Sequence, residues 1–213
     1  MPLNLSLVLI LFIINSTSAY KNLFRFNINN ISNQKVNQKK VNEIKSEIIE
    51  LATNTKNGVI ASENIKKEIG MKIKQLEELN QIRKLTNNNL LAGKWNLLYT
   101  TNDGSSAGKI GPFVGKVIQD IDFDNYEYDN IVDLIIFQGI LKAKWVVLSN
   151  NIWQVEFVNL KFKLFDSILL KEQKLNALGE WRMTFLDDNF RILYAKGGKN
   201  KTTENVYVLN KKL

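Results

Sequence analysis

Gly93-Lys94-Trp95-Asn96-Leu97-Leu98-Tyr99-Thr100-Thr101 is the stretch that decides the fold. Trp95, Leu97 and Tyr99 recur at every second position, the period of a strand with one buried face. A Gly-x-Trp opening a first strand is one way a small closed barrel seals an end. The indole plugs the bottom, and a guanidinium from a late strand lies across its face or pairs with nearby carbonyls. A matching late segment exists: Trp181-Arg182-Met183-Thr184-Phe185-Leu186-Asp187-Asp188-Asn189-Phe190-Arg191-Ile192. A barrel of this size is a container, and the expected contents are apolar small molecules.

The period of two continues between these ends. Val117, Gln119 and Ile121 share a face, and two further strands are expected over roughly 126–137 and 140–148, with a turn near Gly139. Trp153, Val155 and Phe157 alternate, and then Val158, Leu160, Phe162 and Leu164 continue on the opposite parity. That slip predicts a β-bulge, which curves a strand into a barrel. Trp181, Met183 and Phe185 read as one more face. Asp187-Asp188-Asn189 turns the chain into Phe190, Ile192 and Tyr194, and residues 205–209 form a last strand. The sum is a mainly β (α+β) chain: about eight strands in an antiparallel barrel.

Two amphipathic helices precede the barrel. Val41, Ile44, Ile48 and Leu51 mark the first, Asn57-Gly58 breaks it, and Ser62 caps a second whose apolar face is Ile65, Ile69, Ile73 and Leu76. Gly70 inside that helix costs up to about 1 kcal/mol relative to alanine. Both polar faces carry mixed charge, so the expected role is packing on the barrel; a lid or docking face is the sharper alternative.

Composition excludes much chemistry. The chain of 213 residues has no cysteine and no histidine. It therefore has no disulfide, thiolate nucleophile, Cys/His zinc site or histidine base, and no metal or cofactor is expected. The charge of +8 is mostly N-terminal: residues 1–42 hold five basic side chains and no acid, and without them the balance is 24 to 21. Nucleic acid is therefore not an expected partner. Asp103-Gly104-Ser105-Ser106-Ala107-Gly108-Lys109-Ile110 lacks the phosphate-loop spacing and has Ile110 where the magnesium-binding hydroxyl belongs, so it reads as a mouth loop. Asp187 and Asp188 are neighbours on a tight turn and do not face each other across a cleft, so no catalytic residue is assigned and the chain is not read as an enzyme.

The candidate ligand-binding residues are Trp95, Tyr99, Trp145, Trp153, Phe157, Trp181, Phe185 and Arg191. The aromatics either line a cavity or fill a solid core, and an eight-stranded barrel is compatible with both. Arg191 differs in parity from Phe190, Ile192 and Tyr194. If those face outward onto the helices, Arg191 points into the barrel and stacks on Trp95 or offers a fork to a carboxylate or phosphate; if they face inward, it is exposed. Lys161, Lys163, Lys199 and Lys201 are either solvated or face anionic lipid head groups.

The N-terminus reads as an address. The apolar run of residues 3–14, ending in Thr17-Ser18-Ala19, has the length and small-x-small end of a signal peptide (1–19). Residues 20–40 are basic and acid-free, like a transit peptide. The helical pair is expected over 41–85 and the barrel over 93–211, with 41–211 as a single domain. Plain secretion is the rival address, since Asn30-Ile31-Ser32 and Asn200-Lys201-Thr202 are formal sequons.

These residues also carry a resemblance. Gly93–Thr101, Gly115-Lys116-Val117-Ile118-Gln119-Asp120-Ile121, Leu186-Asp187-Asp188-Asn189-Phe190-Arg191-Ile192 and Leu76-Glu77-Glu78-Leu79-Asn80 resemble, in order, motifs of the plastid lipid-associated protein family, the plant fibrillins. Gln81 stands where the family usually has proline. The resemblance implies a lipocalin-like barrel that binds or stores apolar plastid molecules (prenyl-lipids, prenyl-quinones, carotenoids, fatty acids) peripherally at thylakoids or plastoglobules. Its alternative is a scaffold whose helices or rim bind a plastid enzyme. The aromatic after the apolar run resembles the two-part leaders of cells with secondary plastids.

Overall fold

A computed structural model describes residues 35–165, 167–197 and 200–211. The signal peptide, most of the leader, the Asn30 sequon and Lys199 lie outside the described residues, as do the side chains of the second sequon. The chain divides into two compact units, Met1–Glu43 and Ile44–Leu213. In the first, residues 35–43 are helical, so the end of the stretch read as leader is helix.

The second unit carries the fold. Helix α1 (residues 35–52) belongs to it from Ile44 onward and is followed by α2 (Glu63–Glu78), and then by strands β1 (Gly93–Thr100), β2 (Lys109–Ile110), β3 (Phe113–Val114), β4 (Lys116–Asp122), β5 (Glu127–Asp133), β6 (Phe137–Val147), β7 (Ile152–Leu164), β8 (Ile168–Leu186), β9 (Phe190–Gly197) and β10 (Asn200–Lys211). Eight of them close an antiparallel barrel in the order β1-β10-β9-β8-β7-β6-β5-β4, and β2 and β3 pair within the loop between β1 and β4. Closure leaves the barrel without an edge over the length of its shorter strands.

The helices obey the spacing rules. Ser62 caps α2 by accepting from the Ile65 amide, and Ile69, Ile73 and Leu76 form its buried stripe. Between the helices, Asn57 and Gly58 do more than break the pattern. The Asn57 carbonyl accepts from the Thr100 amide, and its side chain donates to the carbonyls of Ala107 and Gly115. Gly58 sits at φ 96°, and a Cβ there would lie 2.3 Å from the Thr100 carbonyl oxygen, so only glycine fits. The mouth loop is thereby pinned through Ala107 and Gly115.

Parity assigns the two faces of the barrel. Trp95, Leu97, Val117, Ile121, Tyr128, Trp145, Trp153, Trp181, Leu193 and Leu209 share one core. Phe190 and Ile192 alternate with Arg191 and Leu193, so they lie on the outer side, buried together with Ile44, Ile48, Ile69 and Ile73 of the helices. The expected bulge is present: the register of β7 shifts between Phe157 and Asn159 against both neighbours. The expected turn at Gly139 is not. Gly139 lies inside β6 opposite Phe162, and the turn is made by residues 134–136, where the Asp133 carboxylate accepts from the Ile135 amide.

Candidate functional site

The barrel interior has two storeys. One end is closed by the chain that leads into β1. Leu85 and Leu91 enter the core there, and Thr86 bonds to the β6–β7 turn through the carbonyls of Ser149 and Asn150. Above this plug lies a floor of aromatic rings. Trp145 and Trp153 stack with centroids 4.2 Å apart, Tyr128 sits 4.6 Å from Trp181, and Trp153 donates its indole N–H to the Thr86 carbonyl. Rings at these separations gain beyond their burial, about 0.5–1.5 kcal/mol per pair.

Trp95 seals the end as its position demands. It is fully buried, and its indole N–H donates to the Leu91 carbonyl at 2.8 Å. Two cations lie over its ring, Arg191 at 4.8 Å and Lys211 at 4.5 Å. Lys211 donates to the carbonyls of Leu90 and Ala92, which ties the last strand to the entry of the first. Burial, then the nearby Arg191 charge, pull the Lys211 ammonium below its ordinary range.

Arg191 points into the barrel, the first of the two orientations that its parity allowed. It is fully buried, donates to the Gln119 amide oxygen, and leaves Nε and Nη1 without a protein partner. Burial pulls its guanidinium down to about 9. The Tyr128 hydroxyl and the Trp145 indole N–H also lack partners. Burial, followed by Tyr207, pushes the Tyr128 phenol well above its usual value.

The upper storey is built differently. Leu141, Leu160 and Phe162 continue the inward face of β6 and β7 beyond Ala143 and Phe157, and Phe162 lies over Gly139. All three are only partly buried. Strand β8 extends past the end of β9: Gly179 pairs with Gly197, and residues 168–178 have no pairing partner on that side among the described residues. Directly opposed residues share a face, so Asn130, Gln173 and Lys171 stand beside Leu141, Leu160 and Phe162. The inner wall is therefore an apolar strip with polar neighbours, and it is incompletely covered.

Of the eight sequence-derived residues, Trp95, Trp145, Trp153, Phe157, Trp181 and Arg191 meet inside the barrel. Two do not. A register shift between Leu97 and Tyr99 turns Tyr99 to the outer side, where its ring lies beneath Gly58. A second shift between Met183 and Phe185 does the same to Phe185, which pairs with Ile192 and meets Phe190 edge-on at 6.4 Å. Lys45 was not singled out from sequence. It is nearly buried, lies 5.6 Å from the Phe190 centroid, and pairs with Asp187 at 2.6 Å. Asp187 also accepts from the Asn189 and Phe190 amides, so this acid serves the turn.

A family model for PAP_fibrillin matches residues 42–176, from α1 into β8. The chain belongs to the PAP/fibrillin family. The match ends inside β8, before Arg191, so the end of β8 with β9 and β10 of this fibrillin barrel rest on their own residues. A curated relative, "Probable plastid-lipid-associated protein 5, chloroplastic" of Arabidopsis thaliana, is 23% identical over 163 residues, 73% of this fibrillin and 66% of the relative. The chain thus spans just under two thirds of that relative's length. No solved structure matches it.

Proposed function

We propose that this protein is a non-catalytic binder of apolar small molecules in the plastid, attached peripherally to thylakoids or plastoglobules. One observation carries the reading: an inward apolar strip, Leu141, Leu160 and Phe162, stands partly open above a closed aromatic floor, with Asn130, Gln173 and Lys171 beside it. Transfer of an apolar tail from water onto that wall gains roughly 25 cal/mol per Å² before the costs of association. Prenyl-lipids, prenyl-quinones, carotenoids and fatty acids all carry such a tail. The unpartnered donors on Arg191, Tyr128 and Trp145 suit a head group with an acceptor oxygen, and Arg191 is the first candidate to orient it. Trp145, Trp153, Trp181 and Phe157 would form the surface on which the cargo rests. Trp95 belongs beneath them as the seal, and Tyr99 and Phe185 support the barrel from outside.

The chemistry of the chain agrees with a carrier. It has no cysteine or histidine, and its adjacent acid pair is spent in part on a turn. The plastid address is supported by the chloroplastic relative and by the leader composition. Extraction from native membranes followed by mass spectrometry of the co-purifying molecules tests the reading. A stoichiometric prenyl-lipid, pigment or fatty acid is the expected result. A protein that emerges empty but bound to one plastid enzyme would overturn it in favour of the scaffold.

A further inference from the structure

The end of the barrel opposite the plug carries an unusual set of exposed side chains. The β5–β6 turn presents Ile135, Ile136 and Phe137, and the β7–β8 hairpin presents Phe165, Ile168 and Leu169. The two tips are one surface: the Phe165 amide donates to the Ile136 carbonyl at 2.8 Å, and Phe137 pairs with Leu164. Ile135 is 91% exposed and Phe165 is 61% exposed. A contiguous apolar patch of this kind marks an interaction site.

The turns themselves are unusual. Ile135 sits at φ 74° and Phe165 at φ 50°. Such positions take glycine or asparagine at little cost, whereas a β-branched isoleucine there is an outlier. The chain holds two large apolar residues in a strained backbone while exposing them to water, so neither local conformation nor core packing accounts for them. Strain of this sort points to a role outside the fold.

Charge says what covers the patch. Lys163 and Lys171 flank the tips, and neither has an ion-pair partner among the described residues; Lys174, farther along β8 opposite Asn159, lies in the field of Glu172. The acids beside them are Asp133, whose carboxylate accepts from the Ile135 amide and keeps its charge, Glu172, which pairs with Lys161, and in the sequence Asp166, next to Phe165. An apolar tip flanked by two lysines outside any ion pair among the described residues matches the layering of an anionic bilayer, with hydrocarbon below and negative head groups around it.

We propose that these two hairpin tips dock the protein on an anionic lipid bilayer, with Ile135 and Phe165 entering the acyl boundary and Lys163 and Lys171 meeting the head groups. The half-open apolar wall then faces the membrane. The proposal rests on the peripheral attachment proposed above and does not depend on any cargo inside the barrel.

The test uses the full chain and phosphatidylcholine vesicles with and without phosphatidylglycerol, reading vesicle partition and amide exchange at Ile135, Ile136 and Phe165. Exchange at these amides is expected to slow about tenfold on the anionic vesicles. The double variant Ile135→Asn, Phe165→Asn relieves the strained positions, so it should melt no lower than the parent while its partition falls about tenfold. Turns that exchange equally fast with anionic vesicles, or a variant that partitions undiminished, would overturn the docking surface. Protection that appears without lipid and grows with protein concentration would also overturn it, assigning the patch to a second copy. None of these outcomes touches the cargo reading, which extraction tests separately.

Discussion

The two ends of the barrel are made from similar side chains and put them to opposite use. At the plugged end all four tryptophans are buried, two cations lie over Trp95, and Lys211 and Thr86 fasten the strands to the incoming chain. At the open end Phe162 is partly covered, and Phe137 and Phe165 face water. The difference teaches that aromatic content does not tell core from surface in a small barrel. What separates the two is whether a neighbouring segment supplies hydrogen-bond acceptors and a cover.

Mutations at the closed end should therefore be costly, and the same kind of mutation at the open end mild. Trp95→Ala removes the seal and should destabilise the protein by about 3–5 kcal/mol in chemical denaturation; an unchanged midpoint would break the contrast at its strongest point. Lys45→Ala leaves the Asp187 turn without its nearly buried cation and should cost about 1–3 kcal/mol. Phe162→Ala, also the deletion of a whole aromatic ring but in the open storey, should cost about 1 kcal/mol or less because its ring is not fully covered. A loss matching that of Trp95→Ala would mean that the upper storey is core.

The smallest effect sharpens the picture of the floor. Tyr128→Phe removes a hydroxyl that has no partner, so stability at neutral pH should change by no more than about 0.5 kcal/mol. Burial raises the phenol of Tyr128 in the folded state above the value of about 10 that it has when unfolded. Its contribution is therefore complete below about pH 10 and is lost as pH rises through the folded value. Melting curves of Tyr128→Phe should accordingly decline less steeply above about pH 10 than those of the parent.

Much of this contrast was legible in the sequence, and the misses have a common cause. The bulge after Phe157 announces itself because alternation changes phase and then continues for four more apolar residues. The bulges that expel Tyr99 and Phe185 are silent. Tyr99-Thr100 and Phe185-Leu186 are pairs of consecutive buried residues, and on either side the apolar positions still appear to alternate. The inward aim of Arg191 was one of two options, settled only when Phe190 and Ile192 proved to lie on the outer side. Lys45 carries no signal beyond its place beside Ile44 on an amphipathic helix, since its partner lies 142 residues away. The turn assigned to Gly139 was misplaced because a strained Ile135 does the work that glycine usually does.

All four tryptophans of the chain belong to the core inside the barrel, so tryptophan emission, excited apart from tyrosine, reports on that space. The most direct test of the central claim is to titrate a short-chain prenyl-quinone, a quencher of indole emission, into the full-length protein. The account predicts saturable quenching at one equivalent, weakened when Leu160→Asp charges the open wall. Quenching that is absent or unsaturable in the parent, or saturable quenching left intact by Leu160→Asp, would contradict it.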